Sequence, residues 1–132
     1  MPHTIRRLPR ESIIVVTYEE PFDYTMANFE TIFREVGKLA EGIEGPIFAI
    51  NDANGLKLNF STLVTALTNA LFNPISKYPG SDRTIGLLVG KGMLFDILQK
   101  AVGRKQHGEL KMAVFETLEE AIEYARTELR QS

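Results

Sequence analysis

The chain has 132 residues, no cysteine and a formal net charge of −2. That length suits one domain with a core of ordinary size. The lack of thiols excludes disulfides, thiolate catalysis and zinc–thiolate sites and fits a reducing cytoplasm, while the near-neutral balance offers no overall field for nucleic acid or an anionic membrane.

The opening MPHTIRRLPR lacks the apolar stretch of a signal peptide. Ile5 to Leu8 reads as an edge strand. Its basic residues Arg6, Arg7 and Arg10 are sparse and broken by Leu8 and Pro9, which suits a solvated edge. Pro9 to Glu11 can turn the chain. Ile13 to Tyr18 is a β-branched run of the kind that fills a strand covered on both faces, and it is too short to span a bilayer. Asp23 or Thr25 can cap a helix whose apolar residues Phe29, Ile32, Phe33, Val36, Leu39 and Ala40 recur at helical spacing. Gly42 is its expected stop, and Pro46 opens a strand from Ile47 to Ile50.

Asn51-Asp52-Ala53-Asn54-Gly55 is rich in turn formers. Asn54-Gly55 could close a hairpin, because Leu56, Leu58 and Phe60 alternate after it. The reading as a loop into a helix is preferred, since Phe60, Leu63, Val64, Leu67 and Leu71 already share helical spacing. From Leu58 to Ser76 there is no charged residue. Such a helix has no well-solvated face. It is expected to be covered by its own sheet and by a subunit, a partner or a ligand. Its Ser, Thr and Asn content and Pro74 exclude a membrane span.

Lys77 to Arg83 reads as a loop and Thr84 to Val89 as a second buried strand. A helix from Gly92 to Gly108 follows, with Leu94, Ile97, Leu98 and Ala101 inward and Lys100, Arg104, Lys105 and His107 toward the negative end of its dipole. Met112 to Phe115 is a short strand. Thr117-Leu118-Glu119-Glu120 is a capping box before a helix that buries Ala121, Ile122, Ala125 and Leu129. The order predicts an α/β domain: a single, mostly parallel five-stranded sheet, an antiparallel edge strand and four helices, joined by right-handed crossovers.

The segments IIVVTYEEPFDY, FAINDANGLKLNFSTLV, TIGLLVGKG and MAVFETLEEAIEYAR carry a resemblance. In this order, over nearly the whole chain, the sequence resembles the STAS domain, and more closely the stand-alone bacterial members of the SpoIIAA-like family. The resemblance implies a regulatory protein. In regulatory STAS domains an Asp-Ser-Ser-Gly-Leu segment opens the second helix, and its first Ser is phosphorylated by a partner kinase. Here that segment falls on Asn59-Phe60-Ser61-Thr62-Leu63, with Phe60 at the phosphorylated position. Ser61 or Thr62 could take that role only in a shifted register. Both also suit simple helix capping, at an end that tolerates an anion.

In open α/β sheets ligands gather at the carboxyl ends of the strands. That edge would collect Glu19, Glu20, Asn51, Asp52, Gly90, Lys91 and the start of the uncharged helix. Gly90-Lys91-Gly92 lacks the spacing of a phosphate loop and the Ser or Thr after its lysine. Asp52 to Gly55 lacks the glycine and closing Glu of a calcium loop. His3 and His107 stand without carboxylates at ligand spacing, so no metal or cofactor is implied. The phenylalanines (Phe29, Phe33, Phe48, Phe60, Phe72 and Phe95) read as core.

Three functions follow. The first is a non-enzymatic interaction protein, a homodimer or the target of a regulatory partner, acting through Thr65, Thr68, Asn69 and Phe72 beside Phe60 and the Asn51-Asp52 edge. The second is binding of a small apolar ligand behind the same helix, as the similarity of the SpoIIAA-like fold to CRAL-TRIO lipid-transfer domains implies. The third is an enzyme using Asp52 and Lys91.

Overall fold

A computed structural model describes residues 3–71, 80–102 and 112–131. Five strands form one sheet: β1 (His3–Arg7), β2 (Ile13–Glu19), β3 (Ile47–Gly55), β4 (Thr84–Val89) and β5 (Met112–Phe115). They lie side by side in chain order, with β1 antiparallel to β2 and every other pair parallel. The helices are α1 (Met26–Ala40), α2 (Phe60–Leu71), α3 (Met93–Val102) and α4 (Leu118–Arg130). The α/β class, the antiparallel edge strand and the four helices agree with the sequence reading.

A sheet that always adds its next strand on the same side repeats one crossover. Right-handed crossovers then put their helices on one face. The buried side chains follow that rule. Alternate residues of β2 send Ile14, Val16 and Tyr18 toward α1, where Phe29, Ile32, Val36 and Ala40 meet them. Phe95 of α3 joins Ala53 and Val114 on this same face. The other residues of the strands, Ile13, Val15, Phe48, Ile50, Leu87 and Val89, point the opposite way and are covered by Ala121 and Ala125 of α4. Leu8, from the turn after β1, completes that second core.

The caps are local chemistry. Thr25, not Asp23, accepts the Asn28 N–H at the start of α1 (3.3 Å). Thr117 and Glu120 form the expected capping box on α4. Asn59 caps α2: its side-chain oxygen accepts the Thr62 N–H at 2.8 Å, and the Thr62 hydroxyl oxygen accepts the Asn59 N–H at 2.9 Å.

Several expectations need correction. β1 starts at His3 and stops at Arg7. Gly42 does not end α1 in a left-handed conformation; Glu41 closes it with ordinary helical angles. Asn54-Gly55 is neither a hairpin nor part of a loop. β3 runs through it, because β4 supplies parallel partners as far as Asp52 and Glu19 of β2 pairs with Gly55 after a register shift that leaves one extra residue on β3. A Cβ at Gly55 would lie 2.5 Å from the Tyr18 carbonyl oxygen, so only glycine fits that close approach. Phe60 is 70% exposed, and Val64 and Ile97 are exposed as well, against the core assignment. Phe60 and Val64 share a stripe, four residues apart, beside the inward Leu63, Ala66 and Leu67. His3 does have a carboxylate partner: its Nε2 lies 3.1 Å from Glu35 Oε1 on α1, a contact made by the fold rather than by spacing. Phe72, Lys77 to Pro79 and the Gly103 to Gly108 end of the expected third helix lie outside the described residues.

Candidate functional site: a cavity between the sheet and the second helix

The three-helix face holds a partly open cavity of about 280 Å³. Its floor comes from small residues: Ala49 and Ala53 on β3 and Gly86 on β4, with Leu88 and Val16 beside them. A Cβ built on Gly86 would meet nothing within 4 Å. Its walls are large. Phe29, Ile32, Phe33 and Val36 of α1 stand on one side, Leu63, Ala66 and Leu67 of α2 form the roof, and Phe95 closes the α3 end. Bulky helix residues hold α1 and α2 off the sheet, while Ala and Gly beneath leave the gap unfilled.

The described lining residues include no charged side chain. Ser81 and Thr84 bring hydroxyls to the lining, and two further hydrogen-bonded groups add polarity. Deep in the wall, the Tyr18 hydroxyl donates to Asn51 Oδ1 at 2.8 Å, and Asn51 Nδ2 donates to the Leu87 carbonyl at 3.3 Å. Tyr18 is buried, and burial pushes its pKa well above the usual tyrosine value, so it stays a hydroxyl donor. At the rim, Tyr24 lines the cavity and its hydroxyl donates to Glu20 Oε2 at 2.8 Å.

Glu20 organises that rim. Its carboxylate accepts the Lys57 N–H at 2.9 Å, the Phe22 N–H at 3.0 Å and the Tyr24 hydroxyl. These bonds, the Lys57 amide first, hold its pKa below the ordinary carboxylate value. Two loops are thereby tied together: the one after β2, and the one after β3 that contributes Leu56 and Leu58 to the wall. Tyr18, Phe22, Tyr24, Phe29 and Phe33 pack along this side, edge-on or tilted except for the stacked Phe29–Phe33 pair, with contacting ring centroids 5.1 to 6.5 Å apart.

The sequence-predicted residues separate here. Asn51 faces the cavity. Asp52, the next residue on the same strand, points to the other face by the alternation of the pleat and accepts the Asn54 N–H at 3.1 Å. Asp52 and Lys91 make no ion pair with each other among the described residues, so the third reading has no assembled pair. Thr62 serves the α2 cap and Ser61 is exposed. Thr65 and Thr68 are exposed on the outer side of α2. Asn69 instead turns inward, donating to the Tyr24 carbonyl at 2.8 Å, and staples α2 to the rim. Glu20 was placed at this edge from sequence, though not its three hydrogen bonds; Tyr18 and Gly86 were not singled out. The interruption of β-branched runs by Ala49, Ala53 and Gly86, all on one face, was the available signal.

A second depression near Arg10, Glu11, Ser12, Glu44 and Arg126 is wider and more open. Arg126 is already engaged there by Glu11 through two bonds of 2.7 and 2.8 Å. Among the described residues no cluster of His, Asp and Glu could hold a metal ion, and no helix is long and apolar enough to cross a membrane. No family model matches the chain, and it has no significant match among curated proteins or solved structures.

Proposed function

We propose that this chain is a non-enzymatic binding protein whose cavity takes a small, uncharged, largely apolar ligand. One observation carries the reading: about 280 Å³ of space lies between α2 and a strand floor reduced to alanine and glycine. A void of roughly 150 Å³ lined by apolar side chains already binds benzene. A space nearly twice as large suits a two-ring molecule or a short branched chain. Its lining, apolar with a few polar groups, is the usual composition of a ligand site. The strand order and four helices support the STAS/SpoIIAA-like architecture that the sequence resembles. The cavity favours the ligand-binding branch of that resemblance over the phosphoserine switch, whose key position holds Phe60.

Naphthalene is the direct probe. Calorimetric titration should give a single site with a dissociation constant of about 10–100 μM, in the range of modest ligand efficiency for ten heavy atoms. Naphthalene-2-sulfonate should bind at least about tenfold more weakly, because its charge would be buried without a partner. No saturable binding of naphthalene, or tighter binding of the sulfonate, contradicts the reading.

A second reading rests on a different observation. Phe60 and Val64 of α2 and Met93 and Ile97 of α3 are exposed, each pair on one stripe of a helix on the same side of the sheet. These stripes, with Thr65 and Thr68, would serve a homodimer or a regulatory protein partner. Light scattering after size exclusion tests the dimer: a dimer that Val64→Asp converts to monomer supports it, and a monomer at high concentration removes it.

A further inference from the structure

We propose that the Tyr18–Asn51 pair is the polar anchor of the cavity, so that its preferred ligand carries one neutral hydroxyl on an apolar body. This rests on the ligand-binding reading above and adds the chemistry that the cavity selects.

The argument starts from an anomaly in the wall. Tyr18 is 6% exposed in a core where its neighbours are Val16, Phe22 and Phe29. A phenylalanine would fill that position with no polar atom to satisfy. Tyr18 instead places a hydroxyl against Asn51 at 2.8 Å, and both residues line the cavity. Asn51 in turn stands on β3 between Ala49 and Ala53, the two small residues of the floor. The polar pair therefore borders the void beside the small residues of its floor.

The hydrogen-bond inventory shows what the pair can still do. The Tyr18 hydrogen goes to Asn51 Oδ1, which leaves the phenolic oxygen able to accept. Asn51 Nδ2 spends one hydrogen on the Leu87 carbonyl and keeps a second. Together they offer an acceptor and a donor within one hydrogen-bonded unit. A ligand hydroxyl can give its proton to Tyr18 and accept from Asn51. A carboxylate or ammonium is disfavoured, because no described lining residue carries a compensating charge. A ligand with no polar atom fits the shape but leaves both valences unused.

Naphthalene and 2-naphthol separate the possibilities, since they share one body and differ by one hydroxyl. Wild-type protein should bind 2-naphthol about tenfold more tightly than naphthalene, the effect of one or two neutral hydrogen bonds. Tyr18→Phe should abolish that preference while leaving naphthalene affinity within about twofold. Asn51→Ser, which keeps a small polar residue and leaves Tyr18 in place, should reduce the preference by a smaller factor and serves if Tyr18→Phe melts early. Equal affinity of the wild type for both molecules overturns the anchor while leaving the cavity reading intact. So does a Tyr18→Phe protein that retains the preference. Failure of both molecules to bind the wild type overturns the anchor and the cavity reading together.

Discussion

The two faces of the sheet are covered in opposite ways. On one, a single helix brings Ala121 and Ala125 down onto Ile13, Val15, Phe48, Ile50, Leu87 and Val89, and small helix residues meet large strand residues. On the other, the sizes are reversed. Large residues of α1 and α2 face Ala49, Ala53 and Gly86, and a cavity remains. Both faces carry buried apolar clusters. What separates them is whether bulk on one layer meets smallness on the other at the same depth. The α4 face is built for stability, and the three-helix face gives up packing to keep a space.

That contrast can be broken by mutation. The largest effect is expected from Leu87→Ala on the α4 face, a loss of about 3–4 kcal/mol by chemical denaturation, because a fully buried side chain leaves a new void among close neighbours. Leu67→Ala in the cavity roof should cost less, about 1 kcal/mol, since Leu67 is only half-buried and already borders empty space. Equal losses at the two sites would erase the distinction. Next is Ala121→Leu, expected to destabilise by about 2–3 kcal/mol through overpacking between α4 and the sheet.

Smaller effects fall on the cavity rim. Glu20→Gln keeps the shape but weakens three charge-assisted bonds, and a loss of about 1 kcal/mol is expected. The pH dependence has a fixed sign. The native pKa of Glu20 lies below the reference value of 4.5, so its contribution is complete above pH 4.5 and disappears as the pH falls through the lowered native value. Acid titration of stability should therefore show a component below pH 4.5 in the wild type that Glu20→Gln lacks. The smallest effect, and one of opposite sign, is expected at Gly86. A Cβ there meets open space, so Gly86→Val should leave stability unchanged or raise it by about 0.5–1 kcal/mol, as thermal melting would register.

Much of this fold could be read from the chain because the signals were local. The run from Ile13 to Tyr18, the Thr117/Glu120 capping box and the helical spacing from Phe29 to Ala40 each specify an element without help from distant residues. Asn51 to Gly55 misled for the converse reason. Its composition favours a turn, but parallel partners in β4 and the pairing of Glu19 with Gly55 hold it as strand, and neither is visible locally. Phe60 looked like core because periodicity fixes which residues share a stripe, not which stripe faces inward. The uncharged character of α2 singled out this helix, but left a partner outside it and a ligand beneath it as alternatives. The cavity under the roof is a difference between two packed layers, and no single segment encodes such a difference. Asn51 was named as part of the site, but its partner Tyr18 stands thirty-three positions earlier.

The most direct measurement is the affinity for naphthalene of the wild type against a Gly86→Leu protein, with thermal melting recorded on both. The new side chain would occupy the space above the floor without meeting backbone. The account predicts saturable binding by the wild type, and at least about tenfold weaker binding by a variant that melts as high as its parent. Undiminished binding in that variant, or none in the wild type, would contradict the claim that this face of the sheet keeps its space for a ligand.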